Sequence, residues 1–358
     1  MKKKFNLVLT RTAFFLEYIA ALKKINMKKI GSFIIALFIV GNCLAQVTYA
    51  KPEEISEIKS RPLIVELLEK DQKLIDDWAK KKSKTKKSEE KSKYTEMEAE
   101  YLAFIDSYND HIKSAIEKLW NLNEKVEYKT ASEVAALRKS KSTKYSVLWF
   151  SESSSTYSDE FGAKYFPDLT IPTMNYSRIE KGKVKVDYSY FMHYTGHREQ
   201  NTLNLSDITF SLMLMKMHLA EIEKTGNKKY QFQQFAKDQA EKFCKELGSK
   251  ELIISEKTIH SKTSLSEIKR NYSGDVVSMT EDEISNAIEK GEDKIIGLCI
   301  PTSIAAGSAG PLSVARILYL KCFVNVSNGK IYTAFGSNMG EFNDPYYRAK
   351  EFGKYGKC

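Results

Sequence analysis

Two imidazoles and a carboxylate in His193-Tyr-Thr-Gly-His197-Arg-Glu199 form the most metal-like cluster of the chain. Such groups are zinc ligands, and histidines four apart converge when they share one helical face. Gly196 and the alternating aromatic run before it place His193, His197 and Glu199 at a strand end instead, where side chains point to opposite faces. Solvent-facing or hydrogen-bonded histidines are the expectation, with no metal and no other cofactor. His218-Leu-Ala-Glu221 has helical facing for a His/Glu pair but lacks the H-E-x-x-H pattern, so His218 reads as a satisfied core histidine. Its neighbours Leu212-Met-Leu-Met215 belong to a helix apolar nearly all round, a buried central element and not a copper-binding methionine box.

Ser308, in Ala305-Ala-Gly-Ser-Ala-Gly310, superficially suggests a nucleophile elbow, but Ala306 stands where G-x-S-x-G requires its first glycine. A loop between strands ending near Ile300 and restarting near Ala315 is expected there, with Gly307, Ser308 and Gly310 able to offer backbone amides to an anion. Ser151, Ser153 and Ser154, beside Glu152, follow an equivalent earlier strand. If the two strands leave equivalent ends of related modules, these polar loops lie where open α/β sheets bind ligands. The six residues Ser151, Ser153, Ser154, Gly307, Ser308 and Gly310 are therefore the candidate ligand-binding set. A hydrolase with its active site at the loops around Ser154 and Ser308 is the alternative, although none of the five histidines has a context that supplies an acid–base partner.

The positioning elements form an internal repeat. Residues 125–150 and 275–300 align without gaps as a short strand, a threonine, a helix of about three turns, a lysine and a buried strand. Both copies carry Thr-x-x-Glu at the strand-to-helix junction, as Thr130/Glu133 and Thr280/Glu283. That spacing is a capping box, so these residues serve helix capping and not catalysis. Strands at Leu63–Leu67 and Glu251–Ser255 introduce the copies. Between them come Leu74, Ile75 and Trp78 on one helix, then a stripe from Met97 through Tyr101, Phe104, Tyr108 and Ile112 to Leu119 on another. Strands at 169–179 and 184–194 and helices at 205–224 and 231–247 follow. A hairpin closes the fold around Ser327-Asn328-Gly329, where Asn-Gly predicts a type I′ turn.

The expected fold class is α/β (or α+β), with two related strand–helix–strand modules, mixed sheet, helical hairpins and a C-terminal β-hairpin. The first module spans 56–200 with a disordered lysine-rich insert at 80–93; a helical pair fills 201–248; the second module spans 249–337; residues 338–358 are a tail. Four of the five cysteines follow residue 50, and no C-x-x-C pair supports zinc or thioredoxin-like chemistry.

Residues 27–45 read as a signal peptide, with Met27, Lys28 and Lys29 before a short apolar run and small residues at Ala45 and Ala50. Met27 is the expected start, making 1–26 a non-native extension; the rival is an extended n-region. Asn42 before Cys43 disfavours lipidation, and the apolar run is too short for a stable anchor after cleavage. The first 45 residues carry a net +7 and the lysine run +6, so the rest of the chain is slightly acidic within the formal charge of +10. A solvated charge run is no groove-reading face, so nucleic acid is not an expected partner.

Arg61-Pro-Leu-Ile-Val-Glu66, the helix from Tyr101 to Trp120, residues 132–148 and the closing stretch 325–333 resemble a group of exported α/β proteins of Bacteroidota type. The resemblance implies one envelope α/β unit and carries over no activity, ligand or cofactor. The expected role is that of a periplasmic or secreted, non-catalytic protein that binds an envelope protein or a small ligand.

Overall fold

A computed structural model describes residues 51–159, 162–192, 203–226, 230–248, 250–309, 312–336 and 344–355, the side chains of 153–170 and 303–316 excepted. The leader and Gly310 lie outside the described residues, as do His193, His197 and Glu199. Two five-stranded mixed sheets organise the rest. The first holds β1 (Leu63–Leu67), β2 (Val126–Thr130), β3 (Ser146–Asp159), β4 (Gly162–Glu180) and β5 (Lys183–Phe191), in the order β2-β1-β3-β4-β5. The second holds β6 (Leu252–Ser255), β7 (Val276–Met279), β8 (Ile295–Ala309), β9 (Leu312–Asn325) and β10 (Ile331–Gly336), in the equivalent order β7-β6-β8-β9-β10. In each, the first strand pairs in parallel with the second and third, and the last three run antiparallel.

The repeat expected from sequence is present. Thr130 caps α4 (Ala131–Lys139) and Thr280 caps α8 (Glu281–Lys290), each through a reciprocal box. The Glu133 amide donates to Thr130 Oγ1 at 3.4 Å, and the Thr130 amide to Glu133 Oε2 at 2.8 Å. At the second site the same bonds measure 3.3 and 2.8 Å.

The helices divide unequally between the sheet faces. Ordered along the chain, α1 (Pro52–Lys59), α2 (Gln72–Lys84) and α3 (Ser88–Leu119) flank the first module's strands β1 and β2. Next come α5 (Leu205–Thr225) and α6 (Phe232–Leu247), then α7 (Leu265–Asn271) between β6 and β7, and α9 (Ala349–Phe352). One core lies between the sheets, where Leu63, Val65, Leu148 and Tyr176 meet Ile253, Ile296 and Leu298 through α1, α3, α5 and α8. Helix α5 is buried from Ser206 to Met215, as its all-round apolarity requires.

The outer face of the first sheet is covered by α4, whose Val134 packs with Ile64, Val147 and Ile179. That of the second is covered by α7 and α9, through Ile268 and Phe352 on Leu252, Ile254 and Phe323. Thus the helix joining the first two strands is inside in one module (α3) and outside in the other (α7), and the next helix is reversed (α4 outside, α8 inside). Both sheets have the same strand order, and parallel crossovers share one hand. The modules are therefore stacked front to back, with unlike faces meeting.

Several expectations are corrected. The lysine run 80–93 is helical on both sides of Thr85–Lys87, ending α2 and opening α3. It is held by the hairpin of those helices, where Trp78 meets Tyr101 edge-on at 5.6 Å. Residues 344–355, read as tail, pack into the second module: Tyr347 and Phe352 are fully buried, and Lys321 Nζ bonds Glu351 Oε1 at 2.8 Å beneath them. The closing turn is not type I′, since Gly329 alone among its residues has positive φ, at 72°. Instead Asn325 Oδ1 accepts from the Ser327 and Asn328 amides, an Asx turn closed by left-handed Gly329. No correction applies to Cys299 and Cys322, which are free, buried thiols on opposite faces of the second sheet. Cys244 is disulfide-bonded. Among the described residues no helix is long and apolar enough to cross a membrane.

Candidate interaction site at the paired ribbons

The serine- and glycine-rich segments are strands, not loops. Ser153 and Ser154 lie in β3, opposite Ile171 and Thr170, while Gly307 and Ser308 lie in β8, opposite Val314 and Ser313. Their small side chains have weak strand preference, but an antiparallel partner reached through a two-residue connection overrides it. The extended, paired backbone at Gly307 and Ser308 turns successive amides in opposite directions, so it forms no anion-binding nest. Nor is Ser308 on the strand-to-helix turn that exposes a nucleophile.

Both hairpins run far past their sheets. From Gly162 to Ile171, β4 pairs with β3 alone, and from Leu312 to Tyr319, β9 pairs with β8 alone, among the described residues. Each ribbon departs at an irregularity beside a proline. The register jumps from Ser154↔Thr170 to Ser155↔Phe166, leaving three extra residues that include Pro167 on β4. In the second ribbon it moves from Pro301↔Tyr319 to Ser303↔Leu318, with Thr302 extra and its Oγ1 donating to the Leu318 carbonyl at 3.2 Å. Proline removes a ladder donor, and bulges bend and twist the strand that carries them. Strand β3 comes up against β8 and β4 against β9, so equivalent strands of the two modules are neighbours.

At the base of the first ribbon, Ser151 Oγ accepts from Asn175 Nδ2 at 2.8 Å, and Asn175 Oδ1 accepts from Ser189 Oγ at 2.8 Å. This rung joins β3, β4 and β5, with Asn175 and Ser189 buried. Ser151 is thereby a cross-strand tie. The usual ligand position of an open α/β sheet is already filled: at the N-terminus of α4, the Ser132 amide donates to Glu69 Oε2 at 2.7 Å and its hydroxyl to Oε1 at 3.0 Å. The Ser132 amide bond is the main reason the Glu69 carboxyl is held below its ordinary value. At the equivalent end of α8, Lys257 Nζ lies 3.4 Å from Glu281.

Two buried titratable groups lie elsewhere. His218 is fully buried on α5; its Nε2–H donates to the Tyr230 carbonyl at 2.9 Å and Nδ1 accepts from Tyr188 Oη at 2.8 Å. Burial pushes its pKa down to about 3, so it stays neutral. Asp187, buried under α1, faces Arg178 at 3.3 Å and Lys185 at 3.7 Å. Burial outweighs these cations and raises its pKa to about 6. Arg178 also pairs with Glu54 and Glu57 of α1, so this network docks the first helix. A small open cleft at the opposite, amino-terminal ends of β6 and β8 is lined by Lys250, Glu251, Asp293, Lys294 and Asn325.

Among the described residues no group of His, Cys, Asp or Glu is arranged to hold a metal. No family model matches the chain, and neither a curated protein nor a solved structure is significantly similar to it. Sequence reasoning found the segments that form the ribbons but missed their extended conformation. A signal was available in the dipeptide Gly310-Pro311, a turn marker in sequence between two runs rich in apolar residues.

Proposed function

We propose that this chain is an exported, non-catalytic binding protein whose two ribbons engage another macromolecule. The observation that carries this reading is the projection of equivalent two-stranded ribbons past both sheets, with backbone edges that no further strand pairs among the described residues. A two-stranded ribbon is marginal in water, and open edges are templates for added strands. Both ribbons are therefore built to be covered. The leader of residues 27–45 supports a role in the periplasm or the medium.

The test shortens both hairpins to their irregularities, joining Ser154 to Thr170 and Pro301 to Tyr319 through two-residue turns. Melting temperature should stay near that of the intact chain, while partners co-purified from the native envelope are lost. Retention of the same partners by a folded, shortened chain would contradict the proposal.

A further inference from the structure

We propose that the hairpin of α2 and α3 carries an interaction surface of its own, a lysine-rich tip that docks on the anionic phospholipid headgroups of a membrane. The ribbons have no part in it. Helix α2 packs chiefly on α3 and has no buried residue, and the first buried residue of α3 is Ile105. At a helical rise of about 1.5 Å per residue, the stretch from Ser88 to Tyr101 reaches roughly 20 Å outward from the core. Trp78 against Tyr101, and the Asp71 amide donating to Tyr101 Oη at 2.9 Å, close the base of this arm.

Charge is segregated along the arm. Residues 80–93 hold eight lysines and two glutamates, a net +6. The shaft behind them, residues 71–79 and 94–106, holds seven acidic residues against Lys73, a net −6. A hairpin built only to be solvated gains from opposite charges three and four residues apart. Here only Lys87 of the eight lysines has an ion pair among the described residues, to Glu90 at 3.3 Å. Lys81, Lys82 and Lys84 complement the carboxyl end of the α2 dipole, but Lys86, Lys87 and Lys91 crowd the amino end of α3, where the dipole disfavours cations. The cluster therefore works against its own helices, and an external anion is what offsets it.

The chemistry of that anion follows from what the tip lacks. Residues 79–100 contain no arginine, so no planar fork grips a single phosphate at two points. Their one aromatic residue is the half-buried Tyr94, which leaves no platform for stacked bases. Leu, Ile, Val and Phe are absent, so nothing inserts among acyl chains. A convex cluster of lysines cannot wrap a linear polyanion, whereas a plane of acidic headgroups meets all its charges at once. The acidic shaft permits only an end-on approach.

The experiment uses the chain from Lys51, which includes every described residue, and co-sedimentation with phosphatidylcholine vesicles with and without phosphatidylglycerol. A tip variant carries Lys81→Gln, Lys82→Gln, Lys86→Gln and Lys91→Gln; the chain with Lys81–Lys91 replaced by a Gly/Ser link is a second. A control of equal net charge carries Lys237→Gln, Lys245→Gln, Lys269→Gln and Lys290→Gln at exposed positions of α6, α7 and α8. Circular dichroism and melting establish that each is folded. Wild type and control should bind only the vesicles with phosphatidylglycerol, at low salt, and leave them at high salt. At about fivefold per lysine, the tip variant should bind roughly a hundredfold more weakly or worse. Shortening both ribbons should leave vesicle binding intact, so this proposal and the binding role of the ribbons fail separately. A folded wild type that ignores phosphatidylglycerol would overturn the inference, as would equal losses in tip and control variants. Tighter binding of the wild type to heparin than to vesicles at the same salt would overturn it by assigning the tip to an anionic polymer.

Discussion

The two capping threonines allow the sharpest comparison between the modules at the level of single residues. Thr130→Ala and Thr280→Ala should each lower unfolding free energy by about 1 kcal/mol, and the serine variants should lie near wild type, since the hydroxyl accepts the helix amide. Chemical denaturation of the four variants checks this. His218 and Asp187 work against each other as pH changes. His218 has its pKa depressed from 6.5 to about 3, so its contribution is present above 6.5 and is lost as pH falls toward 3. Asp187 has its pKa raised from 3.8 to about 6, so its contribution is present below 3.8 and is lost as pH rises through 6. Between these limits the slopes partly cancel, each worth at most about 1.4 kcal/mol per pH unit. His218→Gln can keep both hydrogen bonds without titrating. Relative to wild type, urea midpoints of His218→Gln should decline as pH rises across this window, and those of Asp187→Asn should decline as it falls.

Secondary elements show where the sequence was legible. The Thr-x-x-Glu boxes, the stripe from Met97 to Leu119 and the all-apolar run at Leu212–Met215 were readable because helix period and capping are local. The conformation around Ser154 and Ser308 was not, because small polar residues become strand only when a distant partner supplies the ladder. Nor was the front-to-back stacking, which depends on which sheet face each crossover helix covers. The lysine run misled differently: its composition matches disorder, yet its ends continue helices fixed by Trp78 and Tyr101. No residue of α2 is fully buried. Replacing Lys81–Lys91 by a short Gly/Ser link should therefore remove helical dichroism while shifting the melting temperature little. A large drop would mean that the exposed helix ends pack against more than each other.

For the whole molecule, two modules share one core and each extends the same hairpin past its sheet, so the proposed binding role falls on the ribbons and stability on the sheets and helices behind them. A photo-crosslinking residue placed at Ser154 or Ser308 in the full-length chain, and at Lys73 on exposed α2 as control, tests that assignment most directly in producing cells. Ultraviolet exposure should give discrete covalent adducts from both ribbon positions and none from Lys73. A folded protein giving no ribbon adducts, or equal adducts from all three positions, would contradict it.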